Sequence, residues 1–295
     1  MIIDLSKIKS GFSDKLRAVT YCIALNKLSN KKHNTFFIYE TKTKECPFKF
    51  IDLCKVKNIK IVKLKNKEKS NIKLNSYNTE ITLENCIKNN PLKYVDNQEL
   101  FIEWKKSYTQ IQPIDKIIQK IKKIRLPKDY IGLHIRSTDR KIEFKKFYEI
   151  QFIDTIYEFQ LHYFLKNIDF ILSKITKIKN IYIASDDLII KNEIIKKLKN
   201  SNFKIYFDKS ILKKKSYRQT SGVNYVTDLF CLTFSNLILS TVGAGVTESA
   251  HLISKQKVKF IKWIDTFNIF IFLKILTILI YSIKRIKNFI FLSKF

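Results

Sequence analysis

The run His134-Ile135-Arg136-Ser137-Thr138-Asp139-Arg140 is the clearest chemical signature in the chain. Only six Arg occur in 295 residues (Arg17, Arg125, Arg136, Arg140, Arg218 and Arg285), and two of them fall within five positions here. Arg presents a planar fork of donors that grips a phosphate bidentately, which Lys does not. The pair therefore predicts an anion-gripping site, with Asp139 able to orient a guanidinium or to accept from a hydroxyl. A solvated, salt-bridged loop is the plain alternative. His134 alternates inward with the apolar residues before it, so it also suits a structural role.

Three further clusters have types and spacing that suit chemistry. Gly11-Phe12-Ser13-Asp14-Lys15-Leu16-Arg17 is a Gly turn feeding a helix start. Unpaired amides there suit an anion or a sugar, or the turn is ordinary capping with Ser13 as N-cap. Ser185-Asp186-Asp187 follows an apolar run; its carboxylates suit a metal or a helix cap. With no other acidic cluster nearby in sequence, capping plus contact to a nucleoside is the favoured reading. Asp228 precedes Ser240-Thr241-Val242-Gly243-Ala244-Gly245-Val246-Thr247-Glu248, a Gly-rich turn opening a helix. The turn lacks the third Gly of a dinucleotide fingerprint. A carboxylate at Asp228 suits the adjacent N–H donors of a guanine edge, or it is a helix-surface acid.

The elements that must position these clusters alternate between helix and strand. Residues 11–29 read as a turn and a helix with Leu16, Val19, Ile23 and Ala24 on one face. Residues 35–39 read as a buried strand, 56–64 as a half-exposed one, and 113–124 as a helix ending before Pro127. After Pro127 come strand 130–135, a largely helical stretch 147–178, strand 180–184, helix 188–200 and strand 203–207. Helix 225–236, strand 237–240, a helix opened by 243–245 and strand 257–263 complete the series. Strand–helix units from about 127 to 263 predict a parallel, doubly wound sheet. Ligands of such sheets bind outside the carboxyl ends of the strands. The clusters at 134–141, 185–187 and 241–249 should therefore crowd one edge.

Composition sets the outer bounds. Hydrophobic residues make up 45% and aromatics 13%, enough for a real core, which excludes wholesale disorder. The 5 Gly and 4 Pro exclude collagen-like chains. The 5 Cys are odd in number and form no C-x-x-C, which argues against a disulfide scaffold or zinc ribbon and for a reducing compartment. The formal charge is +30, from 56 basic and 26 acidic residues. Nearly all the basic residues are Lys, in a chain crowded with Ile, Asn and Phe, as an AT-rich coding sequence favours. The charge is read as coding bias plus a membrane-facing role, and no nucleic-acid partner is expected; a purely basic binder of lipid or nucleic acid is the rival. The start of the chain has no apolar h-region, so no secretory signal is expected.

Taken in order, GFSDKLRAVTYCIALNKL, YIGLHIRSTDRK, IYIASDD and VTDLFCLTFSNLILSTVGAGVTESAHLI resemble the fucosyltransferase superfamily, above all the α1,6-fucosyltransferases with the bacterial nodulation enzymes, and then the O-fucosyltransferases. The likeness spans the first 40 residues and about 130–253. It implies an α/β, GT-B-like fold of two Rossmann-type halves and a GDP-fucose donor used without a metal or other cofactor. The family's H-x-R motif corresponds to His134-Ile135-Arg136. By the resemblance, Arg136 holds the β-phosphate, Asp139 and Arg140 match the acidic-basic pair after it, and Asp187 lies beside the nucleoside. Asp228 reads guanine, and Thr241, Gly243 and Ala244 contact the diphosphate. There are departures. Ser137 stands where many relatives have a second Arg, and Gly243 where they have a small hydroxyl residue. Glu143 is the nearest match to a displaced acidic residue. Asp139 and Glu143 are the candidates for the base. Ser137 also keeps open a family member that has lost transfer.

The resulting organisation is an acceptor-side α/β domain over 1–126, a donor domain over 127–263 and an apolar, basic helix over 264–295. In the last, Lys274, Thr277, Tyr281, Lys284 and Asn288 recur as one polar stripe. Lys274 near the middle of a span would cost about 2.5–3.5 kcal/mol. A helix lying in the membrane interface through 267–288 is the preferred reading, with core packing and a span as the others. The expected partners are a nucleotide-sugar donor and a glycan or lipid-linked glycan acceptor. The expected place is the cytoplasm, at the inner face of the membrane.

Overall fold

The computed structural model describes residues 2–4, 11–29, 37–39, 42, 46–56, 59, 61–62, 72–73, 81–136, 164–209, 222–240, 245–254 and 260–262. Its frame is two parallel sheets. The first joins β1 (Ile2–Asp4), β2 (Phe37–Tyr39), β4 (Ile61–Val62) and β5 (Ile72–Lys73) in the order β4-β2-β1-β5. The second joins β7 (Ile131–Ile135), β8 (Asn180–Ser185), β9 (Lys204–Phe207), β10 (Leu237–Ser240) and β11 (Phe260–Lys262) in the order β11-β10-β7-β8-β9. Between them, β3 (Cys54–Lys55) and β6 (Gln112–Pro113) form a small antiparallel pair. In each large sheet the first strand lies inside and the chain winds outward first to one side, then to the other. Each is a doubly wound, Rossmann-type half, as a GT-B-like chain requires.

Strand alternation decides which face of the second sheet meets what. Ile131, Leu133, Ile135, Ile181 and Ile183 point to one face. There they pack against α5 (residues 164–175) and α6 (Leu188–Leu198) through Phe164, Ile168, Leu172, Ile194 and Leu198. Tyr182 and Ala184 point the other way, onto α7 (Gly222–Thr233) and α8 (Gly245–Ile253). Gly132 lets α7 approach: a Cβ there would stand 2.7 Å from Leu232 Cδ2 and 3.0 Å from Ser235 Oγ.

The core on this second face continues into the N-terminal half. It takes in α1 (Phe12–Ser29), and Leu92, Leu100 and Trp104 from around α2 (Leu83–Asn89) and α3 (Asn97–Ser107). Leu16, Val19, Ile23 and Ala24 are buried as the helical period predicts. So are Ala18, Tyr21 and Cys22, because α1 is covered on several sides. Trp104, fully buried, donates Nε1–H to the Arg17 carbonyl at 2.9 Å, so its one polar atom is satisfied.

The structure departs from the sequence reading in places. The helix starts at Phe12, not after Ser13, and the Asp14 amide bonds to the Gly11 carbonyl at 3.2 Å. Ser13 lies inside the first turn, and its hydroxyl serves another purpose. The opening residues, read only for a leader, supply β1, and α2 and α3 lie in a region that carried no resemblance. The helix α4 (Asp115–Ile124) ends as expected before Pro127. Its cap, Arg125, adopts φ 56. Most of the predicted helix over 147–178 and the whole tail over 264–295 lie outside the described residues.

Candidate functional site

The order β11-β10-β7-β8-β9 places the reversal of winding between β7 and β10, where the two crossover directions part. A crevice at the carboxyl end of that seam is where such sheets take ligands. In the register, His134 of β7 faces Ser240 of β10 on one side and Ala184 of β8 on the other. Arg136 is the first residue beyond β7 and is half-buried. The expectation that the polar clusters crowd one edge holds for their described parts, 134–136, 185–187 and 245–249.

His134 is committed to this seam. Its Nδ1 lies 2.8 Å from Thr247 Oγ1 and 3.4 Å from Ser240 Oγ, and the two hydroxyls lie 2.6 Å apart. The ring thus ties the ends of β7 and β10 to the first turn of α8. All three groups are buried, where partnered polar groups hold geometry and unpartnered ones are costly.

From the other half of the molecule, the first turn of α1 reaches the same place. The Ser13 side chain lies against Gly245, where an added Cβ would stand 2.7 Å from Ser13 Oγ and 2.8 Å from Ser13 Cβ. The Ser13 and Tyr225 hydroxyls are hydrogen-bonded. Burial pushes the Tyr225 hydroxyl up in pKa, while Ser13 and the positive charges of Arg17 and Arg136 pull it down. Arg17 donates to Asp14 Oδ1 at 2.8 Å and also to the Glu248 carboxylate. Burial lowers the Arg17 pKa, but Glu248 and Asp14 raise it and prevail. By contrast, a Cβ at Gly11 would meet nothing within 4 Å among the described residues.

Asp187 caps α6: its Oδ1 accepts from the Ile189 and Ile190 amides at 2.9 and 3.3 Å. That is the capping role preferred from the sequence. Asp228 lies on α7 beneath the sheet and accepts from the Tyr182 hydroxyl. Burial pushes its carboxyl up to about 6; Lys191, the Tyr182 hydroxyl and Lys120 work against this. Around it, Lys120 of α4 pairs with Asp208 Oδ2 at 2.6 Å and donates to Asn224, and Lys191 donates to the Asp208 carbonyl at 3.1 Å.

Asp139, Arg140, Glu143, Thr241, Gly243 and Ala244 lie outside the described residues. Sequence reasoning missed Ser13, Arg17, Tyr225, Thr247 and Glu248 as a group, and the Lys120–Asp208–Lys191 cluster entirely. The scarcity of Arg was a signal for Arg17. Among the described residues, no group of three or more His, Cys, Asp or Glu is placed to hold a metal ion. Among them too, no helix is long and apolar enough to cross a membrane.

No protein-family model matches the chain, and no curated protein matches it. Among solved structures it is similar in fold to fucosyltransferases. NodZ alpha-1,6-fucosyltransferase co-crystallized with GDP has a TM-score of 0.49 and 12% identity, over 85% of this chain and 92% of that one. The fucosyltransferase NodZ from Bradyrhizobium has a TM-score of 0.49 and 11% identity over the same shares. The apo form of POFUT1 has a TM-score of 0.49 and 11% identity, over 88% of this chain and 97% of that one.

Proposed function

We propose that this chain is a glycosyltransferase that moves fucose, or a related sugar, from a GDP-sugar to a glycan acceptor, with inversion and without a metal. The observation that carries the reading is the position of Arg136. It is half-buried and directly past β7, at the point where strand order reverses. Breaking a sugar–phosphate bond builds negative charge on the departing diphosphate. Without a metal, preorganised donors must stabilise that charge. In this reading Arg136 grips the β-phosphate, Arg140 adds a second charge, and the turn with Thr241, Gly243 and Ala244 supplies amides ahead of α8. Asp228 reads the base and Asp187 borders the nucleoside. Asp139 or Glu143 takes the acceptor's proton.

The same reading assigns residues 1–126 to the acceptor side, 127–263 to the donor, and the apolar tail over 267–288 to a membrane interface near lipid-linked acceptors. A basic chain is drawn to anionic lipid, which supports that last assignment.

Calorimetry with GDP, then turnover of GDP-fucose, tests the proposal. GDP is expected to bind in preference to other nucleotides. Arg136→Lys is expected to lower turnover by roughly 100-fold or more, the scale of losing one preorganised donor, with the fold intact by circular dichroism. Wild-type-like turnover in that variant would overturn the assignment. So would binding to any polyanion, steeply salt-dependent and indifferent to the nucleotide. GDP binding without turnover of any donor would mark a chain that keeps the site and has lost transfer.

A further inference from the structure

Arg17 lies on the N-terminal helix, yet its guanidinium reaches the first turn of α8 in the other half. Its Nη2 stands 3.9 Å from the Cβ position of Gly245 and donates to Glu248, while Nη1 holds Asp14 at 2.8 Å. Arg17 is largely buried and Glu248 is 42% exposed. A carboxylate in a helix's first turn is favoured by the positive end of the helix dipole, as a bound anion would be. Glu248 and a diphosphate bound at the start of α8 would repel each other.

Resting on the proposed donor site, we propose that Arg17 is a positioning residue. It neutralises Glu248, so that the first turn of α8 stays open to the donor's diphosphate. Without Arg17, two carboxylates, Asp14 and Glu248, face the donor uncompensated. The Ser13–Gly245 contact and the Ser13–Tyr225 hydrogen bond hold α1 against α8, so the charge is delivered at a fixed place.

A simple clamp between helices and a charge mask predict opposite signs, and GDP calorimetry on four proteins separates them. Arg17→Gln is expected to weaken GDP binding roughly five- to tenfold. Glu248→Gln is expected to bind GDP at least as tightly as wild type. The double variant Arg17→Gln/Glu248→Gln is expected to regain most of the loss. Arg17→Lys, which keeps the charge without the planar fork, should stay within about threefold of wild type. Equal weakening by Arg17→Gln and Glu248→Gln would overturn the proposal and leave a clamp. If Arg17→Gln does not fold, Glu248→Gln decides alone, since a weaker complex contradicts masking. Absence of GDP binding by the wild type would overturn the donor-site reading itself, a result distinct from any ranking among variants.

Discussion

The two faces of the C-terminal sheet are built differently. The face under α5 and α6 is closed by aliphatic and aromatic side chains such as Leu133, Ile181, Phe164, Leu172 and Ile194. The face under α7 and α8 runs on into the N-terminal half and is crossed by polar seams, among them the His134–Ser240–Thr247 cluster. A second links Tyr182, Asp228, Lys120 and Asp208, and a third links Ser13, Tyr225, Arg17 and Glu248. Both faces are well buried, so burial does not distinguish them. What differs is the cost of their contents. Apolar packing stabilises wherever it is buried, whereas polar groups in a core need partners and fixed geometry. The apolar face supports the sheet, and the polar face carries the groups to which the proposed function assigns the ligand.

That contrast can be broken or sharpened by substitution. The largest effect is expected on the apolar face. Leu172→Ala removes a fully buried side chain and should cost about 2–5 kcal/mol in urea unfolding. GDP affinity of the folded protein should not change; a large change would show that the faces are not independent. On the polar face, Gly245→Ala drives a methyl into Ser13 and should cost about 1–3 kcal/mol. Ser13→Gly in the same chain should restore part of the melting temperature, and failure to do so would mean that the contact is not the cause.

A pH-dependent effect comes next. Burial pushes Asp228 up to about 6 from 3.8, so the folded chain holds this proton more tightly than the unfolded one. Its ionisation therefore costs stability as pH rises from about 4 to about 6, and the full cost applies above that. Asp228→Asn should gain on the order of 2 kcal/mol over wild type across that window. Urea titrations through the window measure the gap, and a gap constant with pH would refute the assignment. The smallest effect is expected at Gly11→Ala, within about 0.5 kcal/mol, because no described residue stands within 4 Å of where its Cβ would go.

Much of the frame was legible from short-range pattern. β7, β8 and β10 appear in the sequence as apolar runs bounded by polar residues, because strands buried on both faces read that way. The cap at Asp187 was legible because a carboxylate before a helix has a local job. Ser13 was misassigned because capping chemistry and a long-range contact use the same hydroxyl. β1 and β5 are too short to carry a period: Ile2–Asp4 has three residues and Ile72–Lys73 two. α3 had a readable start in Asp96, whose side chain accepts from the Gln98 and Glu99 amides, although no resemblance led to it.

The sequence by itself determined the kinds of element, the strand ends at which polar residues gather, and the rarity that singles out Arg136. Tertiary structure alone decided that Arg17 meets Glu248, 231 positions away, and that Lys120 meets Asp208 beneath the sheet. Local pattern reports whether a side chain is buried, because burial follows a period of two or 3.6 residues. It carries no record of which helix lies across the core. That depends on how α1 seats against α8, through the space that Gly245 leaves for Ser13.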